Sequence, residues 1–478
     1  MGSTGVSEGK ASSRDYGVSA LGLGLTEGLA DFVSTLEFAD LPLAVVHQAK
    51  RAFVDWFGCA IAGSHHPTID HVAGAMQALG EIGDVPVIAR RGQFTKLAAA
   101  TINGQSGHVL DFDDTHMGGV ILHASSPILG ALVAAAHGQS ISGKKFLTSF
   151  VAGFEASVRL GQAASSHHEG GWHLTGTLGT VGAACASARL MDLSPEQTTA
   201  AIGIAATQAA GIQQNRGTSC KSFHAGKAAS NGLLSAVLAA QGFTASTESL
   251  EGKKGFIRIY SVSQEPGRLT AGLRERWEIL SNGYKPYACG VVLHPAIDAM
   301  LELASQISAD QDYWKRVDGV SLRVNPAAVR ITGVQQPANG LMSKFSISHA
   351  AAVSFVDGSG GLAQFSDAAA CRGEIVEFSK KITVLSDDSL DRDQASAECW
   401  LRDGRSIKSH IAHARGTVKN PLDDGQLFNK FFQNVGAEMS EKDAEARIAQ
   451  LMKIDTIDQV NEVFLALIAP MLGCGGHL

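Results

Sequence analysis

The strongest candidate for chemistry is one short segment rich in histidine and aspartate. Residues 108–116 contain two histidines and three aspartates, and His123 follows seven positions later. Such a cluster can bind a divalent metal, because aspartate and histidine are ligands of zinc, manganese and iron. It can also transfer protons, since histidine titrates near neutral pH and a neighbouring carboxylate fixes its tautomer. Individual aspartates can instead cap a helix or fill a turn, but so dense a cluster favours a functional role for the segment.

Three further segments place single polar side chains among small or apolar residues. Trp172-His173 precedes a glycine-rich stretch, where an ordinary, partly buried histidine is the alternative interpretation. Lys221 and Lys227 have few acidic neighbours, which favours Lys221 as an anchor for a substrate carboxylate, with a solvated helix end as the alternative. His294 precedes Pro295. A proline at the first helical position would place this histidine at a helix N-terminus, where the dipole lowers its pKa.

Several common catalytic motifs are missing from the sequence. It contains no P-loop, no H-E-x-x-H zinc motif and no dinucleotide-binding fingerprint after a predicted strand. The glycines of residues 176–182 are spaced by three, which is typical of close helix packing rather than of a nucleotide-binding loop. The histidines, carboxylates and lysines described above therefore remain the best candidates for a site.

The composition is that of a globular protein with two or three domains. The 478 residues are 45% hydrophobic and 18% charged, with a net charge of -7. A mildly acidic chain argues against a nucleic-acid or anionic-membrane partner, because either would need a clustered basic surface. The longest apolar stretches are shorter than the ~20 residues that cross a bilayer. Seven scattered cysteines without a C-x-x-C pair favour a reducing, cytoplasmic location and leave mitochondria and peroxisomes open.

Helices are predicted for most of the chain before about residue 280. Proline is rare there and alanine frequent, and apolar residues recur at helical spacing, as in residues 45–62. Ser194 and Pro195 mark a helix start, as N-cap and first helical residue. We therefore assign residues 19–280 to a large helical domain that follows a flexible tail at residues 1–18.

The sequence changes to an α+β pattern over residues 281–418. Runs of β-branched residues predict strands there, at 317–324, 381–385 and 395–411. Arg402-Asp403-Gly404-Arg405 predicts a two-residue hairpin loop. Residues 419–478 return to the helical domain, with amphipathic helices at 441–453 and 456–467. The predicted fold is mainly α, with a large all-helical domain and a smaller α+β lid domain.

The ordered set of motifs resembles the MmgE/PrpD family, which contains 2-methylcitrate dehydratases, cis-aconitate decarboxylases and iminodisuccinate epimerase. The resemblance extends over residues 26–472. Its motifs are Asn103-Gly104, Leu110-Asp111-Phe112-Asp113-Asp114-Thr115, His123-Ala124-Ser125, Trp172-His173, Gly176-Thr177-Leu178-Gly179, Lys221, Lys285-Pro286-Tyr287 and His294-Pro295-Ala296-Ile297-Asp298-Ala299. The resemblance implies a helical domain with an α+β lid, a homodimer, and a reaction that uses neither metal nor organic cofactor.

The resemblance also implies one pocket between the helical domain and the lid. It gives acid/base roles to His173, His294 and His123, with Asp111 as the orienting carboxylate. Substrate-binding roles fall to Lys221, Lys285, Thr115 and His349. Lysines suit this task because a small polycarboxylate needs cations to anchor it. We expect a helix N-terminus to keep His294 neutral, and a carboxylate neighbour to keep another imidazole protonated.

We therefore expect a cofactor-free lyase that dehydrates a citrate-like tricarboxylic acid, either 2-methylcitrate or an alkylcitrate. The alternatives are decarboxylation of cis-aconitate to itaconate and epimerisation of an amino-dicarboxylate. Two departures from the family pattern bear on this choice: His349 stands where the decarboxylase branch has a tyrosine, and Ala124 stands where the family often has proline. A metal-dependent hydrolase using residues 111–123, or a helical binding protein without activity, would belong to other functional classes.

Overall fold

The computed structural model describes residues 24–307, 312–436, 438–461 and 463–464. Over these residues the chain is mainly α-helical with small sheets, as the sequence predicts. The tail predicted at residues 1–18 lies outside the described residues, and so does the end of the helix predicted at 456–467. Within the described ranges, no helix combines the length and the apolar character needed to cross a membrane.

The first part of the chain forms a helical body with short two-stranded pairs at its edges. Its elements are α1 (Leu25–Thr35), α2 (Leu43–Ser64), α3 (Pro67–Ala78), β1 (Ile82–Pro86), β2 (Gln93–Phe94), α4 (Lys96–His108), β3 (Thr115–His116), α5 (Ser125–Ala136), α6 (Gly143–Ala163), α7 (Leu174–Leu190), α8 (Pro195–Gln208), α9 (Ser219–Ala240), α10 (Phe256–Tyr260) and β4 (Asn282–Gly283). β1 pairs with β2, and β3 pairs with β4.

Local sequence signals explain how these helices begin and pack. The Ser194 hydroxyl accepts a hydrogen bond from the Gln197 backbone amide, and the Gln197 side-chain oxygen accepts one from the Ser194 backbone amide. The predicted start of α8 is therefore confirmed as a capping box. The glycine-spaced helix α7 is buried along its length. A Cβ at Gly182 would lie 2.9 Å from the Ser157 Cβ of α6, so the small residues do allow close helix packing.

The second part of the chain forms a four-stranded sheet with helices packed against it. Its elements are α11 (His294–Ser305), β5 (Val317–Val324), α12 (Pro326–Ile331), α13 (Gly340–Ser343), α14 (Ile347–Asp357), α15 (Asp367–Ala370), α16 (Gly373–Ser379), β6 (Ile382–Ser386), β7 (Ala395–Leu401) and β8 (Ser406–Ile411). The strand order is β6-β5-β7-β8, with β5 and β6 parallel and the other pairs antiparallel.

The hairpin between β7 and β8 is present, but its loop has three residues rather than the predicted two. Trp400 pairs with Ser406, and the Leu401 carbonyl accepts a hydrogen bond from the Gly404 amide at 3.0 Å. Gly404 has a φ of +87°, which only glycine adopts readily. A turn followed by a left-handed glycine is the usual three-residue hairpin, and it explains why the two-residue prediction was wrong by one position.

Two buried apolar clusters organise these elements. One cluster is built from residues 25–284 together with residues 422–464, and the other from residues 287–411 with Cys59 and Phe112. The chain after β8 contributes α17 (Asp424–Val435), which packs against α2, and α18 (Glu441–Met452). Residues from both clusters therefore meet near Phe112, at the end of the histidine- and aspartate-rich segment.

Lys430 of α17 links these parts by a buried ion pair. Its Nζ lies 2.6 Å from an oxygen of Asp55 on α2 and donates at 2.6 Å to the carbonyl of Phe112. Replacing Lys430 with methionine would leave Asp55 without its buried counter-charge, so we expect the free energy of unfolding to fall by about 3–5 kcal/mol. Denaturant unfolding should detect the change, while methionine at the exposed Lys442 of α18 should have little effect. Equal stability of the two variants would contradict this role.

Candidate active site

Asp111 lies where residues from before and after Ser281 converge. It follows the end of α4 and has a φ of +52°, an uncommon value for a residue other than glycine. Lys285 Nζ donates to the Asp111 carboxylate at 2.8 Å and to its carbonyl at 2.9 Å. Lys221 Nζ of α9 lies 3.2 Å from the same carboxylate oxygen. One buried carboxylate thus holds two lysines from distant parts of the chain.

The charges at this centre reinforce one another. Burial opposes ionisation of Asp111, but the positive charges of Lys221 and Lys285 outweigh it and hold the pKa of the carboxyl well below its usual range. Burial lowers the pKa of Lys221, and the negative charge of Asp111 partly offsets this. Lys221 retains some exposure, with 13% of its side chain accessible, whereas Lys285 has 1%. Of these two lysines, Lys221 is therefore the one that can meet a ligand.

Lys344 is a third cation at this centre, and the sequence analysis missed it. Its Nζ donates to the carbonyls of Leu110 and Ala288, at 2.6 and 2.7 Å. Burial lowers the pKa of Lys344 to about 8, against the opposing charge of Asp111. The ammonium ties the segment before Asp111 to the segment after Lys285. Like Lys221, it has no acidic residue among its nearest sequence neighbours, and this is the one sequence signal that could have singled it out.

The lowered pKa of Lys344 predicts an alkaline limit to activity. As the pH rises through about 8, the ammonium loses one proton and its charge. Its hydrogen bonds to both carbonyls and its attraction to Asp111 then weaken, so kcat/KM should fall. Arginine at this position keeps its proton throughout that range, and Lys344→Arg should therefore remove the fall or move it to higher pH. Lys227→Arg, at an exposed lysine of α9, is the matched control. An unchanged alkaline limb in Lys344→Arg would contradict this assignment.

The carboxylate that orients an imidazole is Asp113, whereas the prediction assigned this role to Asp111. His108 Nδ1 lies 3.0 Å from both Asp113 oxygens, and Ser126 donates to Asp113 at 2.7 Å. The other ring nitrogen of His108 lies 3.4 Å from Lys221 Nζ. His108 can therefore accept a hydrogen bond from Lys221 while its Nδ1 proton is held by Asp113. Asp111 is occupied by the two lysines, which is why it does not take this role.

His123 lies beside this pair and is held by the chain around it. Its Nδ1 donates to the carbonyl of Asp114 at 2.9 Å, and the Thr115 hydroxyl lies 3.2 Å from the same nitrogen. Its Nε2 is 4.0 Å from Asp111. Burial lowers the pKa of His123 to about 3, although Asp113 opposes this. His123 is therefore not the imidazole that a carboxylate keeps protonated, and that expectation stays a prediction for the other histidines. Thr115 contacts His123 from a fully buried position.

Asp114 has the structural role that the sequence analysis allowed for one of these aspartates. Its carboxyl accepts from Ser125 and from Asn282, each at 2.5 Å. Burial, followed by the nearby charge of Asp55, raises the pKa of Asp114 to about 8. A neutral carboxyl at this position fixes the loop between α4 and α5 without adding charge to the site.

His173 lies at the rim of the cluster as the N-cap residue of α7. Its ring stacks on that of His108 with 5.6 Å between centroids, and its Nδ1 lies 2.9 Å from Nδ1 of His224. Burial and the charge of Lys221 hold the pKa of His173 well below its usual range. His224 was not singled out as a site residue, although it lies one helical turn after Lys221 on α9.

His294 is buried, and its proline is shifted by one position from the prediction. The histidine is the first residue of α11 and Pro295 the second. Burial, with the charge of Lys285, lowers the pKa of His294 to about 3, as the helix-start argument predicted in direction. Its ring packs edge-on against Tyr287. Neither ring nitrogen has a partner in good hydrogen-bond geometry in the described part of the chain, although the Cys289 backbone acts on the ring and opposes the lowering of its pKa.

His349 is not brought into the cluster. On α14, its Nε2 lies 2.8 Å from the Gln364 carbonyl, and its ring packs edge-on against Phe365. Phe365 in turn lies 5.8 Å from Lys344 Nζ. An aromatic ring thus contacts both His349 and the nearest cation of the cluster, so the predicted direct contact of His349 with substrate is not supported by its position.

The described residues contain one group with the donor atoms of a metal site. Ligand atoms of His108, Asp113 and His123 all lie within 4.8 Å of one another. Histidine nitrogens and a carboxylate suit zinc or iron. In this geometry, however, the His108 and Asp113 donors are hydrogen-bonded to each other at 3.0 Å, and His123 Nδ1 is committed to the Asp114 carbonyl. The donor set therefore fits an acid/base arrangement better than a metal centre.

A cavity of about 320 Å³ opens beside Thr115. It lies between the loop after β3 and the segments before α11 and after β8. Residues lining it include Thr115, Met117, Ile121, Val291, Val292 and Ala414, with Arg392 and Lys419 adding positive charge. Asp393 also lines this cavity, and Thr115 is the one predicted site residue in its lining.

The chain matches known proteins over almost its whole length. A model of the MmgE/PrpD N-terminal domain matches residues 27–269, and a model of the MmgE/PrpD C-terminal domain matches residues 287–455. A cis-aconitate decarboxylase-like protein of Aspergillus oryzae is 28% identical, covering 93% of this chain and 97% of that protein. The cis-aconitate decarboxylase of Aspergillus terreus is 26% identical, covering 94% of this chain and 96% of that protein. The cis-aconitate decarboxylase of Homo sapiens is 24% identical, covering 93% of this chain and 95% of that protein.

Proposed function

The chain belongs to the MmgE/PrpD family, and from this premise we propose that it is a lyase acting on a small tricarboxylic acid. Removal of a carboxylate from a cis-aconitate-type substrate is the reaction we put first, because the relatives named above are cis-aconitate decarboxylases or like them. The observation that carries the proposal is the meeting of Lys221 and Asp111 with neutral imidazoles at one partly accessible centre.

Lys221 is the proposed anchor for a substrate carboxylate. It is partly accessible, and its ammonium is already oriented by Asp111 and His108. An ammonium held in this way presents its remaining hydrogen to a ligand without further loss of side-chain freedom. The sequence predicted that Lys285 binds substrate. Because Lys285 is buried and paired with Asp111, we propose instead that it acts by fixing that carboxylate.

The proposed decarboxylation needs an acid beside the carbon that receives the electron pair, at the far end of the double bond from the carbon that loses its carboxylate. The carbon–carbon bond breaks, carbon dioxide leaves, and the electron pair passes to the conjugated acid that remains. A protonated imidazole then donates its proton to carbon. Burial lowers the pKa of His173 and of His294, but bound carboxylates favour the protonated form of a nearby imidazole. Substrate binding would thus supply the acid that the reaction consumes.

The hydrogen bonding of the His294 ring supports this proposal. Both ring nitrogens are buried, and neither has a partner in good hydrogen-bond geometry within the described residues, although the Cys289 backbone lies close enough to act on the ring. A buried polar group left unpaired is costly, and native structures avoid it except where a ligand or function supplies the partner. The charges of Lys285 and Asp111 act on this ring, so a substrate held at the cluster is the partner we propose for His294.

Dehydration of a citrate-type acid, the reaction predicted from the sequence, is the second candidate. Elimination of water needs a base to remove a proton and an acid to protonate the leaving hydroxyl. His173 and His294 are both neutral and lie on different elements, so the site has two imidazoles that could divide these tasks.

Assembly as a homodimer and a cytoplasmic location stay predictions, and size-exclusion chromatography with light scattering would test the first of them.

Incubation with a panel of acids tests the proposal. The panel is cis-aconitate, citrate, 2-methylcitrate and longer alkylcitrates, with products read by mass spectrometry. Loss of carbon dioxide from cis-aconitate supports the first candidate, and loss of water from a citrate-type acid without decarboxylation supports the second. The Lys221→Met variant is the control for contaminating activity. If the protein converts none of these acids, the proposal is overturned.

Substitution of Lys221 separates substrate binding from covalent catalysis. We expect Lys221→Arg to keep part of the turnover with a raised KM, because the charge remains but its geometry changes. Lys221→Met should lose both binding and turnover. Borohydride treatment in the presence of substrate should trap nothing, since citrate-like acids carry no ketone for an amine to attack. A covalent adduct at Lys221 would contradict its role as an anchor.

A further inference from the structure

The contact between His173 and His224 has an unusual geometry. Two imidazoles face each other through the same atom, Nδ1, at 2.9 Å, with 5.1 Å between ring centroids. Neither Nε2 atom makes a hydrogen bond within the described part of the chain. The pair is thus joined at one end, and the Nε2 atom of each ring is left for another partner.

This geometry fixes the two tautomers relative to each other. One hydrogen bond between two Nδ1 atoms requires one of them to carry the proton and the other to be bare. A neutral imidazole carries a single proton, so the ring that donates has a bare Nε2, and the ring that accepts carries its proton on Nε2. His173 and His224 must therefore be opposite tautomers. They exchange only when the shared proton crosses between the Nδ1 atoms while one Nε2 gains a proton and the other Nε2 loses one.

The surrounding chain holds both rings in this arrangement. The His173 amide donates to the Gly211 carbonyl at 2.9 Å, and the His173 carbonyl accepts from the Gly176 amide at 2.9 Å. Gly211 has a φ of +143°. A Cβ on Gly211 would lie 3.3 Å from the His224 ring, and one on Gly176 would lie 3.1 Å from the His224 Cβ. Two glycines therefore leave just enough room for the second imidazole.

The charged and titratable groups around the pair disfavour further protons on its two rings. Lys221 on α9, His108 on α4 and His123 before α5 all act on these rings. Burial comes first and these neighbours second in lowering the pKa of His224 to about 4. Both rings are therefore neutral near pH 7 without substrate, as the tautomer argument requires.

We propose that His224 is a positioning residue that decides which nitrogen of His173 carries the proton. This inference rests on the proposed function, and it adds to it that the Nε2 atom of His173, the ring nitrogen not bonded to His224, is the one that faces the substrate. When His224 accepts the hydrogen bond between the two Nδ1 atoms, His173 presents a bare Nε2 and can act as a base. When His224 donates, His173 presents an Nε2 proton and can act as a hydrogen-bond donor or acid.

The pair can also hold one additional proton during turnover. A proton taken from substrate by Nε2 of His173 makes that ring a cation. Its Nδ1 proton then crosses to the bare Nδ1 of His224, so the positive charge moves to His224 and His173 is left neutral with a proton on Nε2. Return of the proton to carbon or to a leaving hydroxyl reverses these steps. No other reactant is needed, and the charge of the pair rises and falls by one.

The test begins with nitrogen NMR of protein labelled with ¹⁵N-histidine and free of substrate. Assignment by single His173 and His224 variants should find the two residues as opposite tautomers at pH 7, with their Nδ1 signals coupled across the hydrogen bond. His71→Ala, which removes an exposed histidine of α3, is the control and should leave both signals in place. The same tautomer for both rings, or two rings that titrate independently, would overturn the inference.

Kinetics on the identified substrate complete the test. His224→Phe should lower kcat by about 10- to 100-fold, the usual effect of losing one hydrogen bond to a group that becomes charged, while KM stays within about twofold. His224→Gln keeps a hydrogen-bond partner for Nδ1 and should recover part of the loss. Wild-type kcat in a folded His224→Phe variant would overturn the inference. If the wild-type enzyme converts no tricarboxylic acid, the proposed function fails and the NMR result still decides the tautomers.

Discussion

Replacing His173 with alanine is expected to lower kcat by about 10²–10⁴-fold, the usual contribution of a general acid or base, without unfolding the protein. His173 is the imidazole at the rim of the cluster, and its Nε2 is free of partners within the described residues. Its backbone contacts to Gly211 and Gly176 do not involve the ring, so they persist in the variant. Steady-state kinetics, with circular dichroism as a check on folding, measure the effect.

His168→Ala is the matched control for this variant. His168 lies in the same loop region before α7, is half-buried, and bonds through Nε2 to Arg216 at 3.0 Å. It makes no contact with Asp111 or the three cluster lysines among the interactions described here, so kcat should stay near the wild-type value. If the His168→Ala variant loses as much activity as His173→Ala, the rim position of His173 is not what matters.

Replacing Asp111 with asparagine is expected to cause a large loss of both stability and turnover. The change keeps the shape of the side chain but leaves Lys285 and Lys221 without their shared carboxylate. A buried charge that loses its partner costs about 3–5 kcal/mol, and we expect that loss in the free energy of unfolding. Turnover should fall by at least about 10²-fold, because Lys221 is no longer held in place to bind the substrate.

The stability difference should depend on pH in a definite direction. The pKa of Asp111 is held well below its usual range in the folded protein. Its contribution is therefore present at neutral pH, above the carboxyl pKa of the unfolded chain, and is lost as the pH falls through the folded value. The stabilities of wild type and Asp111→Asn should converge in acid. Asp70→Asn, which breaks an exposed ion pair with Arg90, should change stability by less than about 1 kcal/mol. A constant difference for Asp111→Asn at all pH values would contradict the salt-bridge explanation.

The sequence predicted the elements of the fold better than their ends. Helix α2 was predicted over residues 45–62 and spans Leu43–Ser64, because apolar spacing and the scarcity of proline report directly on helices. The hairpin after β7 was also predicted, but the predicted loop is one residue shorter than the observed loop. Loop length depends on the backbone angle of Gly404, and an Asp-Gly pair is compatible with either loop.

The site residues were easier to predict than their partners. His173, Lys221 and Asp111 were identified from residue type and surroundings, and they do lie together. The pairing of Asp111 with Lys285 was not predicted, because the two are 174 positions apart and nothing in local spacing indicates which cation reaches which carboxylate. Lys344 and His224 were missed for the same reason. Each of them becomes a site residue only through a contact made by the folded chain.

Product analysis in deuterated water tests the central claim most directly. Wild-type protein is incubated with cis-aconitate in D₂O, and the product is examined by mass spectrometry and NMR. Decarboxylation by an imidazole acid predicts an acid that has lost carbon dioxide and carries one deuterium on carbon, with His173→Ala far slower. Unchanged cis-aconitate, together with unchanged citrate and alkylcitrates, in the presence of folded wild-type protein would contradict the account.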